Sequence, residues 1–206
     1  DKIFLLTKDD NGYFYSEFLN CKVQVEEEIL YDFLNGLDVR RYYVNSTDKS
    51  LLFPYLPDNN GKYKLIPGDV LKEKYPKAYN YLLSVKTELQ KRKVKMTEVE
   101  FYKYSAARSL NEYFKPKIMI PDMLVNMRSA YDSKGEFMHG PAIHSVVFHE
   151  KYRKIPALYF LGILNSSVFW FFIKNTSTAL RGDAYRLTPE FLNPFSFPIV
   201  PNEKDL

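Results

Sequence analysis

The chain has 206 residues, of which 46% are hydrophobic and 26% charged, a balance that supports a packed core and excludes an intrinsically disordered polypeptide. A formal net charge of +4 is too small to announce nucleic-acid binding by itself, and the one cysteine excludes an intrachain disulfide and points to a reducing, cytoplasmic setting. The outlier is aromatic content, at 17 Tyr, 16 Phe and 1 Trp, which names no ligand on its own.

Asp1-Lys2-Ile3-Phe4-Leu5-Leu6 has no initiator Met, basic n-region or cleavage signature, and the start reads as a domain cut from a longer protein. Residues 3–6 and 13–18 are apolar runs separated by Lys8-Asp9-Asp10-Asn11-Gly12, a turn composition that predicts a β-hairpin. Glu26-Glu27-Glu28 puts acid on a first turn and predicts a helix to Leu34, stopped by Asn35-Gly36. Leu51 to Tyr55 is a strand ended by proline, and Asp58-Asn59-Asn60-Gly61 is a loop. Pro67 opens a short helix to Tyr75. Pro76 then occupies the first turn of a longer helix to about Arg92, with Tyr79, Leu82, Leu83 and Leu89 on one face. Its last residues, Lys91-Arg92-Lys93, suit a helix C-terminus without any ligand.

From Lys117 the pattern turns to strand, with Lys117 to Pro121, Leu124 to Tyr131 and Ile143 to Phe148 as candidates and Asp132-Ser133-Lys134-Gly135 as a hairpin turn. Residues 155–173 carry no charge, which borders on a membrane span. Asn165-Ser166-Ser167 at its centre argues instead for a largely buried helix inside a globular domain, its polar atoms bonded within the protein. Thr188-Pro189-Glu190 begins a short helix to Leu192, and Phe195 to Pro201 reads as an edge strand.

Charge is unevenly spread. Residues 76–128 carry 11 Lys/Arg against 5 Asp/Glu, and residues 151–186 carry 6 against 1, compatible with a phosphate-facing surface or with solvated faces paired elsewhere. There is no glycine-rich phosphate loop and no His-Glu-x-x-His run, and His139, His144 and His149 are spaced by five, off any one helix face. Pro121-Asp122 followed by Asp132-Ser133-Lys134 fits the loose pattern of a Mg²⁺-dependent nuclease, in which two carboxylates hold the metal and a lysine polarises water. A second alternative is a protein-interaction domain.

Several features in order carry a resemblance. They are Leu34-Asn35-Gly36-Leu37-Asp38-Val39-Arg40-Arg41-Tyr42, Pro54-Tyr55, Tyr75-Pro76 leading to Tyr81-Leu82 and Leu89-Gln90-Lys91-Arg92, Phe101-Tyr102, Lys117-Ile118, Leu164-Asn165-Ser166, and the tail from Tyr185 through Phe197-Pro198. Together they resemble the TaqI-like C-terminal specificity domain, the target recognition domain of adenine-N6 DNA methyltransferases and of fused type IIG restriction-modification enzymes. The resemblance implies a duplex-DNA reader with no catalytic residue or metal of its own, coupled to a methyltransferase domain of the same chain and not to a membrane. S-adenosylmethionine, and Mg²⁺ where a nuclease is fused, would then serve the parent protein.

On that basis the DNA-contacting residues are expected to be Lys91, Arg92, Lys93, Lys103, Ser105, Arg108, Arg128, Arg181 and Arg186, with Arg128 on a strand. Arg40 and Arg41 fit a turn-holding role better than a DNA contact. The expected fold is one α+β recognition domain over residues 1–206, built on a curved, mostly antiparallel sheet with packed helices, including one largely buried apolar helix near 156–173. A division near residue 95 is compatible with the pattern but is not the reading adopted.

Overall fold

The N-terminal hairpin forms as its composition predicts. β1 (Leu5–Lys8) pairs antiparallel with β2 (Phe14–Ser16), and Asp9 Oδ1 accepts the amides of Asn11 and Tyr13 in the turn. The computed structural model describes residues 2–9, 11, 13–94, 97–107, 109–152 and 154–198.

β3 (Cys21–Val23) adds to β2. The Glu26-Glu27-Glu28 run does not start the helix expected to Leu34. A single 3-10 turn forms at Glu27–Ile29, and Leu30–Leu34 is a strand, β4, paired with β5 (Lys49–Leu52). The aliphatic and aromatic residues Leu30, Tyr31 and Phe33 suit a pleated surface, and strand pairing outweighs the acidic start. The acid serves another helix: both Glu26 carboxylate oxygens accept amides, of Lys77 and Ala78, at 2.8 Å. Pro54 separates β5 from β6 (Tyr55–Pro57), which forms a hairpin with β7 (Tyr63–Leu65) around the Asp58 loop.

The helix expected from Pro76 to Arg92 is broken at Val85, so α1 (Gly68–Lys74) is followed by α2 (Pro76–Ser84) and α3 (Lys86–Gln90). Ala78, Tyr81, Leu82, Val85 and Leu89 are buried, while Leu83, placed on the inner face by spacing, is exposed. Tyr81 turns inward because its hydroxyl donates to Ile3 O at 2.6 Å and meets Ser16 Oγ at 3.0 Å. These helices cover a six-stranded sheet in the order β11-β4-β5-β1-β2-β3, where β11 is the later strand Met138–His139.

The chain folds as two compact units that interleave in sequence, with crossings after Phe33, Ser46, Phe114, Gly135 and Met138 and none near residue 95. Unit one is Asp1–Phe33, Thr47–Phe114 and Glu136–Met138; unit two is Leu34–Ser46, Lys115–Gly135 and His139–Leu206. In unit two, β8 (Lys117–Pro121) lies between β10 (Ala130–Asp132) and β12 (Ile143–Val147), antiparallel to both. The strand expected over Leu124 to Tyr131 is divided: β9 (Met123–Leu124) pairs with β13 (Tyr185–Arg186), and a loop carrying Arg128 leads to β10. The Asp132–Gly135 turn forms, with Gly135 N donating to Asp132 Oδ1, but β10 and β11 belong to different sheets and make no hairpin.

The uncharged stretch is helical in two pieces, α4 (Ala157–Leu164) and α5 (Ser167–Thr176), bent by 57°. Only one face is buried, through Leu161, Leu164, Phe169 and Ile173, and Leu158, Val168 and Phe171 stay exposed. No single helix among the described residues is long and apolar enough to cross a membrane. α6 (Pro189–Leu192) starts where expected. Residues 195–198 are not a strand: Phe195 and Phe197 pack edge-on to each other and onto Phe169 and Phe160, and the rest of that segment lies outside the described residues. The α+β class and the antiparallel pairing stand.

The polar centre of the apolar stretch is bonded as anticipated. Buried Asn165 accepts Ser129 N at Oδ1 (2.8 Å) and donates from Nδ2 to Ser129 O (3.0 Å), and Ser166 Oγ caps α5 at Phe169 N. Asn165→Ala should lower the unfolding free energy by about 2–3 kcal/mol, because Ser129 N is left buried without its partner. A urea midpoint unchanged from wild type would show that this clasp contributes nothing.

Unit one places its tyrosine hydroxyls on backbone groups: Tyr102 donates to Ile66 O and Tyr104 to Leu52 O, while Tyr55 accepts Tyr104 N. Burial pushes the hydroxyls of Tyr55 and Tyr102 up to about 12 from an ordinary 10.0. The folded state holds these protons more tightly than the unfolded chain, so their contribution is complete below pH 10 and is lost as pH rises toward 12. The tyrosinate absorbance of Tyr55 and Tyr102, read as the difference between wild type and the Tyr55→Phe/Tyr102→Phe variant, should therefore appear together with loss of structure; its appearance near pH 10 in an intact fold would contradict this.

Candidate nucleic-acid interface

Unit two exposes three loops around the segment 122–129. The first is the turn 40–43, whose base is the Val39↔Val44 bridge and whose closing bond runs from Arg40 N to Tyr43 O at 2.9 Å. Val39 is fully buried and anchors it. Tyr42 is held at φ 75°, a left-handed conformation costly for a residue with a Cβ, and its amide donates to Ser129 O at 2.8 Å. Its ring and that of Tyr43 are 51% and 60% exposed. Arg41 donates from Nη2 to Asn165 O at 2.9 Å and lies 5.4 Å from the Tyr42 ring centre, so it holds the turn as expected.

The second loop, 125–128, carries exposed Val125 and Asn126 and half-buried Arg128. Burial lowers the proton affinity of Arg128, and the charge of Arg40 lowers it further. The third is the arm 178–186, tied by Leu180 N to Ala184 O and Arg186 N to Thr178 O. Its tip is Arg181-Gly182-Asp183, where Gly182 at φ 74° and Asp183 at φ 55° make the reversal. β13 lays Arg186 against Met123, and its guanidinium is 3.9 Å from Asp122, a surface pair of small energetic worth. Arg128, Arg181 and Arg186 therefore all stand on segments joined to residues 122–129.

The remaining expected contacts belong to unit one. Lys91 pairs with Glu88, and Lys93 and Ser105 are exposed. Arg92 is committed inward, with Nε on Leu89 O and Nη2 on Phe101 O and Lys103 O, all at 2.9 Å, and it sits over the Phe4 ring. It braces the end of α3, and Lys103 contributes its carbonyl to that brace. Arg108 lies outside the described residues. Sequence weighs Arg40 toward a turn-holding role and gives no role to Tyr42 and Tyr43; the run Arg40-Arg41-Tyr42-Tyr43 is the only local signal for this turn.

The nuclease arrangement does not assemble. Asp132 pairs with Lys117 across β10 and β8, Oδ2 to Nζ 2.6 Å, with both side chains almost fully buried. Asp122 follows the other end of β8, beyond Pro121. At about 3.3 Å per residue, that puts the two carboxylates roughly 16 Å apart along the strand. One Mg²⁺ needs its ligand oxygens about 2.1 Å from itself. Among the described residues, no group of three His, Cys, Asp or Glu side chains could hold a metal. Buried His139 contacts Gly140 O and Ser145 Oγ, and desolvation lowers its proton affinity, so it is a neutral packing residue.

The family model for the TaqI-like C-terminal specificity domain matches residues 31–199, and so spans parts of both units. No curated protein matches the chain.

The Lys117–Asp132 pair is a structural element. Lys117→Met should cost about 3–5 kcal/mol of stability by leaving Asp132 buried without its cation. A Lys117→Met protein as resistant to urea as wild type would disprove that role.

Proposed function

We propose, because the chain belongs to the TaqI-like C-terminal specificity domain family, that this DNA-recognition module selects the target site for an adenine-N6 DNA methyltransferase, alone or fused with an endonuclease in a type IIG enzyme. S-adenosylmethionine would be bound by a methyltransferase domain of the same chain, and Mg²⁺ by a fused nuclease. Neither group is assigned to residues of this chain, whose part is to bind and orient the duplex while the base is extruded.

The observation that supports this reading best is that Arg128, Arg181 and Arg186 stand on two loops and a strand joined to one segment of unit two. Arg181 at the tip of its arm is the best candidate to enter a groove, where an arginine pairs with guanine O6 and N7. Lys91, Lys93, Lys103, Ser105 and Arg108 are the candidate contacts of unit one, acting on phosphate and sugar. The outward apolar residues Leu158, Val168 and Phe171 favour a second role, as a surface on which the catalytic domain rests.

Duplex binding measured by fluorescence anisotropy over a salt series should weaken steeply as salt rises. Arg181→Ala should cost about 1–3 kcal/mol and relax preference at one base pair, whereas Lys93→Ala should weaken all sequences alike. Absent or salt-insensitive binding would overturn the proposal in favour of a protein-interaction domain.

A further inference from the structure

We infer that Arg40 and Arg128 form a two-guanidinium clamp that takes one phosphodiester of the bound duplex, spaced by the strained turn at Tyr42. The inference rests on the DNA-recognition reading above and adds the ligand group and the residues that hold it.

Three observations carry it. First, the two cations stand on loops tied to each other by the bond from Tyr42 N to Ser129 O, at 2.8 Å, and they stand there without compensation. Both are half-buried, and among the described residues no carboxylate is paired with either, whereas Lys49, Lys64 and Lys117 each have one. Two like charges drawn partly out of water repel each other in the free protein, and an anion between them removes that repulsion. The effect of Arg40 on the proton affinity of Arg128 has the same origin.

Second, the two loops are held to each other by backbone bonds and not by the side chains themselves. The Val39↔Val44 bridge and the Arg40 N–Tyr43 O bond set one loop, and the Tyr42 N–Ser129 O bond ties it to the residue after Arg128. The left-handed Tyr42 is the cost of that tie, a strain that persists only where surroundings over-determine it. Third, Arg41, between these residues in sequence, is already engaged with Asn165 O and the Tyr42 ring. Arg40 and Arg128 are left to a ligand. The chemistry of two planar forks fits the non-bridging oxygens of a phosphate, which accept parallel N–H bonds from each.

The test uses the full chain, a short labelled duplex over a KCl series, and thermal melting in sodium phosphate against sodium chloride of equal ionic strength. Arg40→Ala and Arg128→Ala should each weaken duplex binding roughly tenfold at low salt, with the double variant little worse than either. The slope of log affinity on log salt should fall by about one in each. Melting temperature in chloride should be unchanged or raised, and the extra stability phosphate gives the wild type should vanish in the double variant. Arg40→Lys with Arg128→Lys should keep the salt slope but lose most of the phosphate effect, since the forks are gone.

A lowered melting temperature in chloride for both alanine variants would make the pair structural and overturn the clamp. Full duplex affinity in the double variant, with Arg181→Ala still impaired, would overturn the clamp and leave DNA recognition standing. Phosphate stabilisation without any duplex binding by the wild type would do the reverse, keeping the anion site and removing its DNA role.

Discussion

A buried amide fixes the loops of unit two. In a continuous helix the Asn165 carbonyl would accept the amide of Phe169. Here Ser166 Oγ takes that amide and starts a new helix, the direction changes by 57°, and the Asn165 carbonyl is released to Arg41. The Asn165 side chain meanwhile closes on both backbone groups of Ser129, whose carbonyl also accepts Tyr42 N. Three stretches far apart in sequence are thereby joined through groups that cannot afford to lose their partners in a buried setting. The loops carrying Arg40 and Arg128 inherit their positions from that junction.

The aromatic excess divides between support and exposure. In unit one, Phe53 is fully buried and packs on Tyr31, Tyr55, Tyr63, Tyr104 and Phe114, mostly edge-on. Those rings supply bulk, and several tyrosines reach backbone groups with their hydroxyls, so a polar tip costs nothing in the interior. Tyr42 and Tyr43 are different. They sit on a turn whose geometry is dictated by a hydrogen bond, both exposed, with Arg41 over the Tyr42 ring.

Basic residues divide in a comparable way. Lys117 is an interior cation paired across two strands, and Arg92 spends its donors on three carbonyls at the end of a helix. Both came from stretches whose charge excess looked like a ligand surface. A count of lysines and arginines therefore locates no interface; Arg40, Arg128, Arg181 and Arg186 have, among the described residues, a weak carboxylate pairing or none.

Local chemistry alone determined much of this chain. Turn composition gave the first hairpin, proline and threonine marked the starts of α1, α2 and α6, the apolar run 117–121 gave β8, and the ordered skeleton pointed to the family that matches. Tertiary structure decided the rest. Whether Leu30–Leu34 is helix or strand depends on β5 lying beside it, because short apolar runs satisfy both periodicities. Glu26 marks a helix start, but of a helix about fifty residues away, and no local pattern encodes such a partner. The same holds in unit two: Asp122 and Asp132 are ten residues apart in sequence, yet Asp122 follows the end of β8 while Asp132, on β10, lies opposite its start, and the loops of Arg40 and Arg128, far apart in sequence, are tied through Ser129, whose backbone an asparagine at a helix break holds.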